Sequence, residues 1–460
     1  MGYMVNHWMT FHGLIAMAGL AVYVSSSHTL HLRRHPSAAI AWVVSLVLLP
    51  YLALPLYLVF GSRKVGNHRA ARHDVAIRND GPSTLSSQTQ QLAAVMALPE
   101  ATSYRELSVH EDGRQAQQAL RSMIESAKRS IDVCTFIFAH DILGEEIASL
   151  LKKKAQAGVK VRLLVDGVGA YIGARTNFSS LVQSGIEVLL FVPPLRSSRR
   201  GRTNLRNHRK MAIADGMHLW CGGRNLAADY FEGEATAPWI DLSFDLQGML
   251  AWQAVQQFEQ DWRFAAGSAH RRTAAKEAAP PEPAAAQLIV SGPDQTDDTL
   301  YTLLVSGFFN ARKSIRAVSP YFVPDPTLLM SLTFAARRGV EVELLLPRKS
   351  NHRLADIARH RALRELTVAG ARVWFLPAMI HAKAVVIDEE VAFVGSANLD
   401  QRSLFLNYEM MIAFYAVNDV HRFSAWISRQ MEKAVPYRAR RPKIWQEIAE
   451  GMLLWLAFQL

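Results

Sequence analysis

Two stretches of the chain carry the same chemically able residues at the same spacing. NHRKMAIAD holds His208, Lys210 and Asp215, and IHAKAVVID holds His381, Lys383 and Asp388. Gly222 follows His208 by 14 positions as Gly395 follows His381, and Asn225 follows by 17 as Asn398 does. One histidine and one lysine two apart say little. The pattern twice, about 170 residues apart in matching surroundings, marks an internal duplication whose copies build one site. MAIAD and AVVID read as strands, on which alternation places each His and Lys on one face. GGRN and GSAN read as the turns after the next strand. Two imidazoles, two ammoniums and two carboxamides then converge. A nucleophile among positive charge and hydrogen-bond donors suits a phosphodiester. Two unrelated strands with satisfied core histidines are the plainer reading, but buried lysines are rarely left unpaired.

Other segments accompany the repeat: AWVVSLVLLPYLALPLYLVFGSRK, WIDLSFDLQG, SPYFVPD, RRGVEVELLLPRK and GSANLDQRSLFLNYE. With HxKx4D and G(G/S)xN present twice, they resemble the phospholipase D superfamily, and nearly the whole chain resembles its bacterial cardiolipin synthase branch. The resemblance implies duplicated α/β halves packed face to face with the active site between them. It implies His208, Lys210 and Asn225 from the first copy, and His381, Lys383, Ser396 and Asn398 from the second, with Asn225, Ser396 and Asn398 on the substrate phosphate. Asp215 and Asp388 complete the motifs and are expected to brace the fold rather than touch substrate. The resemblance also implies an acid after each motif that orients the histidine of that copy: Glu409 in the second, with Asp241 of WID the candidate in the first. Gly223 stands where the second copy has Ser396, so one half lacks that hydroxyl.

The implied reaction needs no metal and no cofactor. One neutral imidazole attacks the phosphodiester to form a phosphohistidine, and the other, protonated, serves the leaving and incoming alcohols. His208 is taken as nucleophile and His381 as acid and base, following the family's order. The substrate implied is phosphatidylglycerol, two of which become cardiolipin and glycerol.

The elements that position this site follow from composition. At 460 residues, half of them apolar, the chain is long enough for two core-bearing halves. A net charge of +11 favours an anionic partner, either nucleic acid or an acidic membrane. Cys134 and Cys221 offer no metal-ligand spacing and no disulfide framework, and read as small core residues of a reducing compartment.

The N-terminus favours the membrane. Ala38 to Phe60 is an uncharged run of 23, interrupted by Pro50 and Pro55, and Met9 to Val24 is a shorter run of 16. We read residues 1–65 as a membrane hairpin. Arg33 and Arg34 lie between the runs, whereas Arg63, Lys64, Arg69, Arg72 and Arg78 follow them, which places the catalytic part on the cytoplasmic side of a bacterial inner membrane. At the other end, RARRPK precedes an apolar tail with Trp445 and Trp455, and residues 437–460 read as an interfacial amphipathic helix.

Between the ends, residues 66–105 form a linker, weakly structured near Asn79 to Gln90. Residues 106–266 form the first half, 267–286 an Ala/Pro-rich linker and 287–436 the second half. Each half alternates helical and strand periods, the mark of α/β layers. Arg196, Arg199, Arg200, Arg202 and Arg206 precede the first motif, either as a solvated loop or as a basic rim that gathers headgroups. Tyr321 and Phe322 line a lipid channel or pack in the core. A hydrolytic phospholipase D shares every residue named. A nuclease has no use for the hairpin, and a non-catalytic lipid-binding scaffold has no reason to keep both motifs intact.

Overall fold

The computed structural model describes residues 2–29, 36–61, 84–173, 178–193, 204–231, 239–267, 285–295, 297–447 and 450–451. Two sheets dominate. Across the first, the strands run Arg105–His110, Ser243–Gln247, His218–Gly222, Met211–Ala214, Ser130–Thr135, Lys160–Asp166 and Glu187–Phe191. Across the second they run Ala286–Ser291, Glu409–Phe414, Val391–Gly395, Ala384–Ile387, Ser314–Val318, Glu341–Pro347 and Arg372–Leu376, with Val435–Pro436 added at the edge. Position by position the two orders are the same, so the duplication seen in the motifs extends to the whole topology. Three strands in each sheet are parallel and joined through helices, and the remainder are antiparallel.

Continuous apolar runs, rather than alternating ones, explain why the central strands are buried on both faces. Met211–Ala214, Ala384–Ile387 and Val391–Gly395 are buried at every position. Aspartates start the flanking helices: Asp112, Asp141 and Asp325 each accept a backbone N–H of the first turn. The halves share one apolar core. Phe244 packs against Phe414 at 5.3 Å and Phe423 at 6.1 Å, and Phe191 against Tyr408 at 4.9 Å. Each such burial contributes about 1.5–3 kcal/mol, so the interface is held like a domain interior.

The N-terminal region departs from expectation in its lengths. Gly2–Thr29 is one uninterrupted helix, and Met9–Ser26 within it is apolar enough to cross a membrane. The run from Ala38 is split into Pro36–Leu48 and Pro50–Phe60. Leu49 leaves helical geometry because Pro50 has no N–H to donate and restricts the residue before it. Pro55 stays inside its helix. The segments pack as a hairpin, with His12 Nε2 3.0 Å from the Val47 carbonyl and the Tyr23 ring tilted against Tyr57 at 5.5 Å.

Downstream, Leu85–Val95 is a helix rather than weakly structured chain. Thr84 caps it, and Leu85, Thr89 and Ala93, spaced four apart, are buried against the helix Thr299–Asn310. At the other end, Ile444 and Trp445 are exposed on a short helical turn. Trp455, with the rest of 452–460 and with 448–449 of the expected C-terminal helix, lies outside the described residues.

Candidate active site

Each HxK sequence lies in extended chain just ahead of its strand, not on it, because the segment is engaged elsewhere. Asn207 pairs with Tyr408, and Ile240 pairs with Ile380. In each bridge a residue just before a histidine meets one just before an acid of the opposite half. His208 N donates to the Tyr408 carbonyl at 2.9 Å, and His381 N to the Ile240 carbonyl at 2.7 Å.

The acids therefore serve in exchange. His208 Nδ1 lies 2.9 Å from Glu409 Oε1 and 3.1 Å from Oε2, while His381 Nδ1 lies 2.7 Å from Asp241 Oδ2. This corrects the assignment of each acid to its own copy. Register decides it, since the bridges set each histidine beside the other half's carboxylate.

Burial drives the electrostatics. Desolvation, with the neighbouring ammoniums, lowers His208 to about 4 and His381 to about 3. Burial also lowers Lys210 to about 8 and Lys383 to about 7, opposed by Glu409 and Asp241. For the acids burial acts upward, but the facing histidines outweigh it and hold Asp241 and Glu409 below the ordinary carboxyl range. Two ionised carboxylates thus face two neutral imidazoles. An ionised acid accepts from Nδ1–H, so the basic lone pair sits on Nε2.

The lysines differ. Each Nζ donates to the carbonyl of its own histidine, Lys210 to His208 at 2.6 Å and Lys383 to His381, but Lys383 Nζ also lies 2.7 Å from His381 Nδ1 and 3.0 Å from Nε2. Aromatic edges pack the rings, Phe136 against His208 at 5.2 Å and Tyr230 against His381 at 4.9 Å.

Ser396 points elsewhere than expected. Its hydroxyl donates to Glu409 Oε2 at 2.5 Å, and Asn407 Nδ2 donates to Oε1 at 3.1 Å. Ser396 therefore braces the acid behind His208. At Gly223 a Cβ would overlap the carboxylate of Asp241, so a serine there would have to displace the acid that holds His381. Asn225 Oδ1 accepts from Ile137 N at 3.3 Å, and the buried Asn398 Oδ1 has no partner among the described residues.

Asp215 and Asp388 stand apart from these groups. Asp215 accepts the backbone N–H groups of Lys128, Arg129 and Ser130, and Asp388 those of Arg312, Lys313 and Ser314. Each fastens the entry to a central parallel strand. Arg206 leaves the basic rim: it is buried against Asp166 at 3.2 Å and the Val192 carbonyl at 2.9 Å. Arg196, Arg199, Arg200 and Arg202 lie outside the described residues. Phe322 is fully buried in a short strand beside Leu399, and Tyr321 donates to Asn351. Phe322 is core, not channel wall.

Arg209 went unread. Lying between His208 and Lys210, it is fully buried, pairs with Asp261, and donates to the Glu409 carbonyl at 3.1 Å and the Ser291 carbonyl at 3.2 Å. It ties the first motif to the second half. Arg224 similarly donates to the Asp241 carbonyl at 2.6 Å. The available signal was a mismatch within the repeat, because Ala382 and Ala397 occupy the matching places.

Comparison with known proteins agrees with this geometry. A family profile described as "Cardiolipin synthase, PLD-like domain" matches residues 120–262 and 304–431, more than half of the chain. A second, "Phospholipase_D-nuclease N-terminal", matches residues 19–62. Cardiolipin synthase A of Pseudomonas aeruginosa (strain LESB58) is 32% identical over 428 residues, 88% of this chain and 86% of that protein. The enzyme of the same name from Pseudomonas putida (strain W619) is 30% identical over 419 residues, 87% of each. The fold is similar to phosphatidylserine synthase of Haemophilus influenzae Rd KW20, with a TM-score of 0.63, 13% identity, and coverage of 82% of this chain and 100% of that one. It is also similar to polyphosphate kinase from Porphyromonas gingivalis, with a TM-score of 0.52, 15% identity, and coverage of 76% and 53%.

Proposed function

Because the chain belongs to the cardiolipin synthase family of the phospholipase D superfamily, and so is a membrane-associated phosphatidyltransferase, we propose that it joins two phosphatidylglycerols into cardiolipin and glycerol through a phosphohistidine. One observation carries the reading: two histidines, each held through Nδ1 by a buried acid of the opposite half, with a lysine beside each.

In the first step Nε2 of one histidine attacks phosphorus, and the bond from phosphorus to the glycerol oxygen breaks. The other histidine, protonated, gives its proton to that oxygen. In the second step it takes the proton of an incoming phosphatidylglycerol hydroxyl, whose oxygen attacks the phosphohistidine and frees the first ring. Both imidazoles are neutral in this geometry. An anionic phosphodiester brought between them adds the negative charge that favours protonating one. Lys210 and Lys383 stabilise the charge spread over the phosphoryl oxygens.

His208 is the better nucleophile of the two. Lys383, besides donating to the His381 carbonyl, lies 3.0 Å from Nε2 of that ring and competes for its lone pair, whereas Lys210 donates to the His208 carbonyl at 2.6 Å. One phosphodiester replaces another, so no external energy source is required. The basic residues after the hairpin, Arg63 to Arg78, favour a catalytic part on the cytoplasmic side of the inner membrane.

The test is mass spectrometry of the products after the purified full-length enzyme meets phosphatidylglycerol vesicles without cofactor. Cardiolipin and glycerol are expected, and both disappear with His208→Ala and with His381→Ala. Phosphatidic acid as the only lipid product would make the reaction hydrolysis.

A further inference from the structure

The duplication supplies an internal control for the protein's surface. In each half, one helix follows the first parallel strand and covers the outside of its sheet: Ile142–Gln156 in the first, Pro326–Arg337 in the second. Counted back from Gly158 and Gly339, which follow them, Ser149 matches Met330 and Lys153 matches Phe334. All four positions are exposed. In the first half the outward stripe is Ile142, Glu145, Ser149 and Lys153, apolar only at the residue that starts the helix. In the second it is Met330 and Phe334, 53% and 49% exposed, and then Arg337 and Arg338. The Arg338 guanidinium lies 5.1 Å over the Phe334 ring, and Phe309 packs on the same ring at 5.8 Å. Exposed aromatic and thioether groups beside arginines, absent from the equivalent helix, mark a surface with a partner.

The route of the chain indicates which partner. Thr84 and Leu85, the first described residues after the hairpin, line a cleft with Phe309, Arg312 and Arg338. Leu85 N donates to Glu390 at 2.8 Å, and the helix it starts is packed on Thr299–Asn310. The segment arriving from the membrane is therefore fastened at the edge of this patch. The acids nearby are engaged by backbone N–H groups, Asp388 by three and Glu390 by that of Leu85. They keep their charge, and among the residues named the arginines, Arg312, Arg337 and Arg338, still outnumber them.

We propose that the face formed by Met330, Phe334, Arg337 and Arg338 seats on the anionic surface of the bilayer that holds the hairpin, and so fixes how the catalytic body is presented to lipid. The apolar side chains enter the headgroup boundary and the guanidiniums pair with phosphates. A second copy on this face would bring arginine against arginine. The inference rests on membrane association, not on which lipid is the substrate.

Cys134 and Cys221 are both buried, so a cysteine placed on the surface takes a spin label selectively. The full-length enzyme, reconstituted in phosphatidylglycerol vesicles, is labelled at Phe334→Cys and, separately, at Lys153→Cys. The label at 334 is expected to collide more with dissolved oxygen than with a water-soluble nickel complex, and the label at 153 the reverse. Equal exposure of both labels to the nickel complex would overturn the proposal. Strong coupling between labels at 334 without a preference for oxygen would also overturn it, and would put a second copy there. As an independent reading, Met330→Glu with Phe334→Glu should raise the half-saturating lipid fraction in mixed micelles roughly tenfold at unchanged kcat. An unchanged half-saturation would count against the proposal.

Discussion

His208 Nδ1 lies 2.9 Å from Glu409 Oε1, although the two residues are 201 positions apart and belong to different halves of the chain. The same exchange holds His381 against Asp241. Neither half contains a complete histidine–acid pair, so the site exists only when the halves are docked. Activity and docking should accordingly be lost together.

Glu409→Gln keeps the shape of the acid and removes its charge. The imidazole loses the partner that fixes its tautomer and stabilises its protonated form. We expect kcat to fall by roughly 10²- to 10⁴-fold with circular dichroism unchanged, and Asp241→Asn to behave alike. Retention of more than half the wild-type rate in either variant would remove the acids from the mechanism.

Ser396→Ala separates bracing from phosphate binding. The hydroxyl donates to Glu409, so its loss should lower kcat by about tenfold and leave KM near its original value. A rise in KM with kcat preserved would instead return Ser396 to the substrate phosphate.

Gly223→Ala should be worse than its size suggests. The added Cβ overlaps the Asp241 carboxylate that holds His381. A stability loss of about 1–3 kcal/mol and a large loss of kcat are expected, read by chemical denaturation and by turnover. A fully active, fully stable variant would mean that Asp241 is free to move.

Asp388→Ala should damage stability rather than chemistry. Three backbone N–H groups lose their acceptor, at a cost of about 1–3 kcal/mol. Asp388 also has φ 55°, a geometry that alanine adopts less readily than aspartate. The folded fraction should retain its kcat, and a specific loss of turnover in fully folded enzyme would contradict a purely bracing role.

Stability should depend on pH in a definite direction. His208 and His381 are held down to about 4 and 3, so between those values and about 6.5 the unfolded chain binds more protons than the folded one. Stability then falls as pH drops through that window. Lys210 and Lys383, held to about 8 and 7, act with the same sign up to about 10.5, where stability rises with pH. Urea midpoints across the acid window would test this, and a profile that rises on acidification would contradict it.

The sequence by itself determined the chemistry and the duplication. His, Lys and Asn at fixed offsets in two copies are a local pattern, and the helical and strand periods around them are local too. The aspartates at 215 and 388 are legible as the third member of each motif, although the backbone N–H groups they hold lie 74 to 87 positions away. Tertiary structure decided what depends on register between distant segments. It gave Glu409 to His208 and Asp241 to His381, turned Ser396 toward Glu409, and buried Arg209 across the interface. Those outcomes follow from which carbonyl meets which N–H when two sheets dock, and no period in the chain encodes that meeting. The break at Leu49 shows the boundary from the other side: the proline was legible, but whether Pro50 or Pro55 ends the helix depends on which of them can sit at a helix start.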